Sequence, residues 1–344
     1  LWDLSRRVKV SEELTAAFDE GVDGLLERLS SSETEEAEEF LSSWDDFLFE
    51  FGCRGPNEYE IFSDTWETRP AIALALLDRI RLQSDDEDPA GRHKVIAESR
   101  ISTINEVREK LAALGNEELT GTFEASLNAG NIMVFQERTK TNYIRVVNEI
   151  RVVFEELGKR AVLEGSLGDH KHIYMLKDDE LETFVADRGA MQSTLETRYA
   201  DYLELQELEP PFFIKDGVVP PLSSYKRLGS SGVSEAESGD VLVGVAGSPG
   251  VVQGTARVIL DPTEPGDLEP GEILIAPLTD PSWTPLFMAA SAVVVNVGGQ
   301  RSHAVVVSRE LGLPCVASVT DATLRIPNGA QIEVNGTTGE VTLV

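Results

Sequence analysis

A histidine follows a double glycine near the carboxyl-terminal end of the chain, at Gly298, Gly299 and His303. The β-branched run at 293–297 predicts a buried strand before them, and the pattern after the histidine predicts a helix. His303 then falls in the first turn of that helix, where unpaired backbone N–H groups and the helix dipole favour an anion. A neutral imidazole is available near pH 7, because its ordinary pKa is about 6.5, and it can attack phosphorus without a strong base.

The residues around His303 are candidates for holding a phosphoryl group. Glycines let a backbone approach a ligand closely, so Gly298 and Gly299 are predicted to support phosphate, together with Arg301 and Ser302. The competing interpretation is a histidine that only caps or packs the helix, because strand–glycine–helix turns are common. Position alone leaves both interpretations open.

A second candidate group lies in the loop after an aromatic helix. Arg54 and Glu58 belong to the turn-forming run 52–59, and loops on a rigid scaffold often carry binding residues. Two interpretations stand side by side: a substrate contact, chiefly through Arg54, or a buried ion pair that fixes the loop. The aromatic residues nearby either line a pocket for an apolar substrate or pack in the core, and these are Trp44, Phe47, Phe51 and Trp66.

Two other histidines, His170 and His172, have a spacing that metal ligands use. Neither a cysteine nor a third histidine lies near them in the sequence, so we favour solvent-exposed side chains and predict no metal site. Asp280, Trp283 and Thr284 precede the strand that leads to His303. We expect these three residues to shape the surface on which their domain docks.

The elements that must position these residues differ between the two ends of the chain. Residues 1 to about 210 are predicted to be mostly helical, with one helix that ends near Gly52 and another that begins at Pro70. Longer helices are predicted over 94–114 and 131–157, whereas Ile173–Leu176 resembles a short strand. Beyond residue 240, strands are predicted at 241–245, 254–260, 272–275, 292–297, 331–334 and 340–344, with one helix at 302–311.

This change of pattern predicts a multidomain protein of α and α/β class. We expect a helical substrate-binding domain over 1–222, a flexible Gly- and Ser-rich linker over 223–240, and an α/β domain over 241–344. A length of 344 residues is also too great for one ordinary core.

Composition excludes some partners. A formal net charge of -30 argues against nucleic acid, whose binders need a basic face. No apolar run approaches the ~20 residues of a membrane span, and no signal-peptide pattern is present. Two cysteines make no disulfide framework, which fits a reducing cytoplasm. Because the sequence starts at Leu1 rather than at Met, we expect it to be a segment of something longer.

Residues 242–344 resemble the mobile phosphohistidine domain of the phosphoenolpyruvate-utilising enzymes. The matching motifs occur in the expected order and lie at 247–250, 280–286, 298–303 and 308–314. The resemblance implies a swivelling β/β/α domain in which His303 is the phosphorylated residue. Some relatives carry a regulatory threonine two residues before the histidine; Arg301 stands there in this chain, so that regulation is not implied.

A helical region followed by this domain is similar to the order in the rifampin phosphotransferase family, and the runs 52–61 and 173–181 are similar to its middle domain. That resemblance implies that an ATP-grasp domain or subunit outside this chain binds ATP and Mg²⁺ and phosphorylates His303. It also implies a small-molecule hydroxyl acceptor in the helical domain. Two alternatives are the phosphohistidine subunit of a split phenylphosphate or phosphoenolpyruvate synthase, and a phosphorelay protein without a small-molecule acceptor.

A domain that travels on a tether makes two structural predictions of its own. The His303 ring is not sealed in the interior, and no broad apolar interface joins the two halves of the chain.

Overall fold

The computed structural model describes residues 1–211, 213–227, 232–263 and 268–344. It contains two compact units. The first comprises residues 1–58, 63–145 and 235–344, and the second comprises 59–62 and 146–234. A mostly helical first part is followed by a mixed α/β sheet, so the predicted fold class is confirmed.

Five helices open the chain, and apolar side chains on their inner faces form one core. The Thr34 side chain accepts a hydrogen bond from the backbone N–H of Ala37 and so caps the fourth helix, which ends before Gly52 as predicted. The fifth helix follows Pro70, also as predicted. The five are α1 (Trp2–Val10), α2 (Glu12–Asp19), α3 (Leu25–Ser30), α4 (Glu35–Phe51) and α5 (Ala71–Arg81).

Two long helices follow, α6 (Pro89–Leu114) and α7 (Glu117–Leu163). Both were predicted, but each begins earlier than the apolar pattern indicates. The Asp88 carboxylate accepts hydrogen bonds from two backbone N–H groups and starts α6. No helix in the described part of the chain is long and apolar enough to cross a membrane.

The second unit is built around a small apolar core. Its elements include α8 (Leu181–Ala186), α9 (Gln192–Gln206), and a short antiparallel pair, β1 (Leu208–Glu209) and β2 (Lys226–Arg227). The strand predicted at Ile173–Leu176 is wrong, because His170–Met175 forms a 3₁₀ helix. Its start is fixed by the Asp169 carboxylate, which accepts a hydrogen bond from the backbone N–H of Lys171, and its Ile173 is fully buried.

Among the described residues, eight strands of the first unit form one mixed sheet in the order β3-β10-β9-β5-β6-β7-β8-β4. Strands β5 to β8 run parallel to one another, and the remaining pairs are antiparallel. The strands are β3 (Val241–Val243), β4 (Val245–Ser248), β5 (Val251–Val258), β6 (Ile273–Ala276), β7 (Ala292–Val295), β8 (Cys315–Ala317), β9 (Gln331–Asn335) and β10 (Glu340–Leu343).

Three helices accompany this sheet: α10 (Thr284–Ala289), α11 (His303–Leu311) and α12 (Ala322–Arg325). The helix predicted at 302–311 is confirmed as α11, whereas α10 was not predicted. Residues that alternate along β6 and β7 face opposite sides and are all buried, as expected for parallel strands covered on both faces.

One face of the sheet shares its core with the amino-terminal helices. Helix α5 packs on α10, and the side-chain amide of Gln83 donates a hydrogen bond to the carbonyl oxygen of Met288 at 2.6 Å. The buried side chains of this common core include Phe40, Trp44, Leu74, Leu77, Leu274, Leu286, Phe287 and Val293. The expectation that no broad apolar interface joins the two halves is therefore wrong for this conformation.

The compact units accordingly do not follow the expected boundaries at residues 222 and 240, because helices α1 to α6 pack with the sheet domain. Part of the predicted linker, 228–231, lies outside the described residues. At its end, Ala236 is buried and its N–H donates to the carbonyl of Arg325 at 2.8 Å, so the chain joins the sheet domain before β3. Independent movement of the predicted domains stays a prediction.

Candidate functional site

The turn from β7 to α11 places His303 as the first residue of a nine-residue helix. A Cβ at position 298 would lie only 2.9 Å from Ser302 Oγ, so the tight turn favours glycine there. A Cβ at position 299 would meet nothing within 4 Å. Ser302 is the helix N-cap, but its side chain makes no capping hydrogen bond. The first-turn N–H groups of α11 thus lack a side-chain cap from Ser302, and this end of the helix suits an anion.

Arg309 clamps this turn from inside α11. Its guanidinium donates to the carbonyl oxygen of Gln300 at 3.1 Å and to that of Gly247 at 2.9 Å. The Gln300 side chain in turn donates to the carbonyl of Ala246 and accepts from Arg309. Sequence reasoning missed this role, because the partners are brought together only by the packing of α11 on β4.

The His303 ring lies between two threonine hydroxyls. Its Nδ1 is 3.2 Å from Thr279 Oγ1, and its Nε2 is 3.4 Å from Thr284 Oγ1. The ring packs edge-on against Phe287, with 5.8 Å between the centroids. The residue is half-buried rather than sealed in the interior, as the prediction of an unsealed ring required.

The pKa of His303 is lowered to about 4, chiefly by burial; the negative charge of Asp280 opposes this shift, and the positive charge of Lys140 makes a smaller contribution in the lowering direction. An imidazole with this pKa is neutral at pH 7 and keeps a lone pair for attack on phosphorus.

Asp280, on the loop before α10, contacts the loop at 52–58. One carboxylate oxygen, Oδ1, accepts hydrogen bonds from the backbone N–H and hydroxyl of Ser282. The other oxygen, Oδ2, accepts from the backbone N–H of Asn57 at 3.1 Å. Trp283 is buried, and Thr284 reaches the imidazole. The three residues therefore lie where the sheet domain contacts the helical part.

The structure brings the second candidate group to the same place. Arg54 donates to both carboxylate oxygens of Glu58, at 3.1 and 2.9 Å, and to the hydroxyl of Thr141 at 3.0 Å. The ammonium group of Lys140 lies 3.3 Å from Glu58 Oε1. Sequence reasoning missed Lys140, since nothing in the sequence links residue 140 to residue 58 or 303.

The remaining predicted site residues are less tightly tied to His303. Arg301 is exposed, whereas the Ser302 hydroxyl is buried without a hydrogen-bond partner among the described residues. The phosphate-supporting roles of Gly298, Gly299, Arg301 and Ser302 stay predictions. So does a substrate contact by Arg54 or Glu58; the Glu58 side chain is only 2% exposed, which favours the ion-pair interpretation for it.

The aromatic residues of the first helices pack mainly in the core. Trp44 and Phe47 are buried with ring centroids 5.3 Å apart, and Phe47 stacks on Trp66 at 5.5 Å. Phe51 is the exception, with 42% exposure.

Neither of the paired histidines meets a metal-ligand set. His170 lies 3.0 Å from Glu155 and 3.3 Å from Asp169, and the His172 ring packs on Tyr199. Within the described ranges, no group of three or more His, Cys, Asp or Glu side chains is arranged to hold a metal ion.

Comparison with known families agrees with the two halves of this description. Residues 268–339 match the family model of the PEP-utilising enzyme mobile domain, and residues 1–130 match that of the rifampicin phosphotransferase fourth domain. Both resemblances drawn from the sequence are thereby confirmed.

Individual relatives point to the same group of proteins. A rifampicin phosphotransferase of Streptomyces sp is 32% identical over 100% of this chain, which covers 39% of that protein. The rifampicin phosphotransferase of Bacillus subtilis (strain 168) is 31% identical over 86% of this chain and 34% of its own length. An uncharacterized phosphotransferase of the same organism, YvkC, is 27% identical over 100% of this chain and 41% of its own length. The chain thus spans about a third to two-fifths of these relatives.

Proposed function

We propose that this chain is the acceptor-binding and phosphohistidine part of an ATP-dependent phosphotransferase. His303 takes a phosphoryl group that originates in ATP and passes it to the hydroxyl of a small molecule bound beside the helical region. One observation carries the proposal: a neutral imidazole lies at a helix amino terminus, and the charge of Lys140, which shares the Glu58 carboxylate with Arg54, reaches it.

Nε2 is the atom proposed to attack phosphorus. Thr279 is 7% exposed and lies beside Nδ1, so a proton on Nδ1 is shared with its hydroxyl and the lone pair is left on Nε2. The N–P bond forms as one phosphoanhydride P–O bond of ATP breaks, and no proton has to leave the ring. Water cleaves the second phosphoanhydride bond and gives up a proton to solvent, so that ATP, water and His303 together yield AMP, inorganic phosphate and phosphorylated His303.

In the second step the imidazole is the leaving group rather than the nucleophile. The oxygen of the acceptor hydroxyl attacks phosphorus, the N–P bond breaks, the hydroxyl proton leaves to solvent, and the imidazole returns to its neutral form. Arg54 and Lys140 are proposed to face the phosphoryl oxygens during this step, because cations offset the charge of the transferring group. The rest of the helical surface then orients the acceptor.

ATP and Mg²⁺ are proposed to bind outside this chain, on an ATP-grasp domain or subunit. His303 must then visit two sites, and movement of the sheet domain separates α10 from α5. Because that movement exposes apolar surface, we expect the docked conformation to dominate at rest and phosphorylation to occur in a less populated open one. The negative charge that His303 gains lies near Asp280 and favours reopening.

The experiment that tests the proposal uses the complete enzyme and ATP labelled at the β-phosphoryl group. We expect acid-labile label on the wild-type enzyme, mapped to His303, and a loss of more than about a hundredfold in the His303→Ala variant. The His172→Ala variant is the matched control and should retain the label.

Acid-labile label that persists in His303→Ala contradicts the proposal. In the same sample, hydrogen exchange of amides in α5 and α10 should accelerate when ATP is added. If the enzyme is phosphorylated but hydrogen exchange in α5 and α10 is unchanged, the proposed movement is contradicted, whereas the proposed phosphorylation is not.

A further inference from the structure

Glu58 is a buried carboxylate that holds two cations from different parts of the chain. Its side chain is 2% exposed, against 19% for Arg54 and 25% for Lys140. Arg54 comes from the same loop, whereas Lys140 comes from α7, more than eighty residues later. One carboxylate therefore joins the loop at 52–58 to the middle of α7.

Arg54 links the Glu58 carboxylate to α7. Arg54 Nη1 reaches both oxygens of Glu58, at 3.1 and 2.9 Å, and its Nη2 reaches Thr141 Oγ1 on α7. The guanidinium is thereby fixed at both ends, on a carboxylate and on a helix. Buried charges are stable only when they are paired, so removal of this carboxylate leaves two neighbouring cations to repel each other.

The same loop contacts Asp280, whose negative charge reaches His303. The backbone N–H of Asn57, the residue before Glu58, donates to Asp280 Oδ2, and Asn57 adopts a left-handed φ of 50° to do so. The charge of Lys140 also reaches His303, since it lowers the pKa of that imidazole. One of the two cations held by Glu58, Lys140, consequently lies within electrostatic reach of His303.

We infer that Glu58 is a positioning residue, which holds Arg54 and Lys140 toward the phosphoryl group without contacting phosphoryl group or acceptor itself. The inference rests on the proposed function and deepens it. A positioning role and a purely electrostatic role of Glu58 predict opposite changes in anion binding when the carboxylate is removed. A negative charge that only neighbours an anion site weakens anion binding, so its removal tightens binding; removal of a positioning carboxylate loosens it.

Inorganic phosphate is the probe. Side-chain NMR of the 344-residue chain with labelled histidines follows His303, whose signal is assigned with the His303→Ala variant. We expect phosphate to shift this signal in the wild type. In Glu58→Gln, which removes the charge at nearly constant shape, the dissociation constant for phosphate should rise about fivefold or more. Glu50→Gln removes the same charge from an exposed position at the end of α4 and should leave the constant within about twofold.

Glu58→Asp keeps the charge but shortens the side chain by one methylene, so it no longer reaches both cations. We expect a weakening between those of the wild type and Glu58→Gln, with thermal unfolding recorded for each variant. This second variant keeps the inference open to refutation if Glu58→Gln does not fold.

Unchanged or tighter phosphate binding in Glu58→Gln or Glu58→Asp overturns the inference. The inference is also overturned if phosphate does not shift the His303 signal of the wild-type chain. Label on His303 from ATP in the complete enzyme is measured separately. A labelled His303 with unchanged phosphate binding in the variants defeats the positioning role alone, whereas an unlabelled His303 defeats the proposed function.

Discussion

Two loops supply the candidate residues, and they are held in different ways. The loop at 298–302 joins β7 to α11 and is shaped chiefly by nearby residues, its own glycines and Arg309 on the helix that follows, although Gln300 and Arg309 also bond to β4. The loop at 52–58 is long-range. Its backbone is paired with residues 66 and 67, and its Arg54 and Glu58 are bound to residues of α7.

The difference shows which features of the site a short sequence motif specifies and which depend on tertiary packing. The first loop presents a nucleophile through backbone geometry, which a few neighbouring residues specify. The second loop presents cations through side-chain ion pairs, which exist only after α7 has packed beside it. The proposed nucleophile, His303, can therefore be recognised from a sequence motif. The cations proposed to face it cannot.

The largest expected effect is a graded response of the loop glycines to alanine. A Cβ at Gly55 would lie 2.4 Å from the backbone oxygen of Asp64, one at Gly298 would lie 2.9 Å from Ser302 Oγ, and one at Gly299 would meet nothing within 4 Å. Backbone yields less than a serine hydroxyl, so we expect losses in the free energy of unfolding of about 3 kcal/mol for Gly55→Ala, about 1 for Gly298→Ala and about 0 for Gly299→Ala. Urea denaturation measures the series.

Equal losses at Gly55 and Gly299 would show that the two loops are constrained alike and would break the comparison. The Gly299→Ala variant is the internal control, since neither it nor Gly298 has a positive φ that alanine resists.

A moderate loss in the free energy of unfolding is expected at acidic pH. The pKa of His303 is about 4 in the folded protein, below its ordinary value of 6.5, so the unfolded chain binds the proton more readily. The stabilisation is complete above pH 6.5 and is lost as the pH falls through that window toward 4. Between pH 7 and pH 5 the wild type should lose about 2 kcal/mol more than His303→Asn in urea unfolding.

The smallest effect concerns the electrostatic link between the loops. Lys140→Met removes one of the causes that lower the pKa of His303, so this pKa should rise, yet stay below 6.5 because burial is the larger cause. NMR titration of the imidazole measures it, with Lys110→Met on exposed α6 as the control. An unchanged pKa in Lys140→Met would mean that α7 does not face the histidine.

Much of the fold follows from local patterns. Helix α4 and its end at Gly52, helix α5 after Pro70, and helix α11 with His303 at its start were all predictable, because apolar periodicity and cap residues act over a few positions. The strand expected at Ile173–Leu176 failed because a polar side chain starts a 3₁₀ turn there and the core behind it accepts Ile173 in that form.

The candidate site was half predictable. His303 and its glycine turn could be found from residue types and spacing, and Arg54 and Glu58 from their position in a turn-rich loop. The contact between Asn57 and Asp280, the threonines on the ring, and Lys140 beside Glu58 could not. They join positions separated by many residues, and side-chain pairs of that kind leave no periodic trace in one sequence.

By itself the sequence determined the class of each half and the likeness of residues 242–344 to a mobile domain of the PEP-utilising enzymes, and it named His303 as the candidate nucleophile. Only the tertiary structure decided that α1 to α5 share a core with the sheet, and that Glu58 holds cations from two elements. Helix starts and glycine turns are local properties of the backbone. Apolar interfaces and buried ion pairs arise when distant segments exclude water together, so they belong to the folded chain alone.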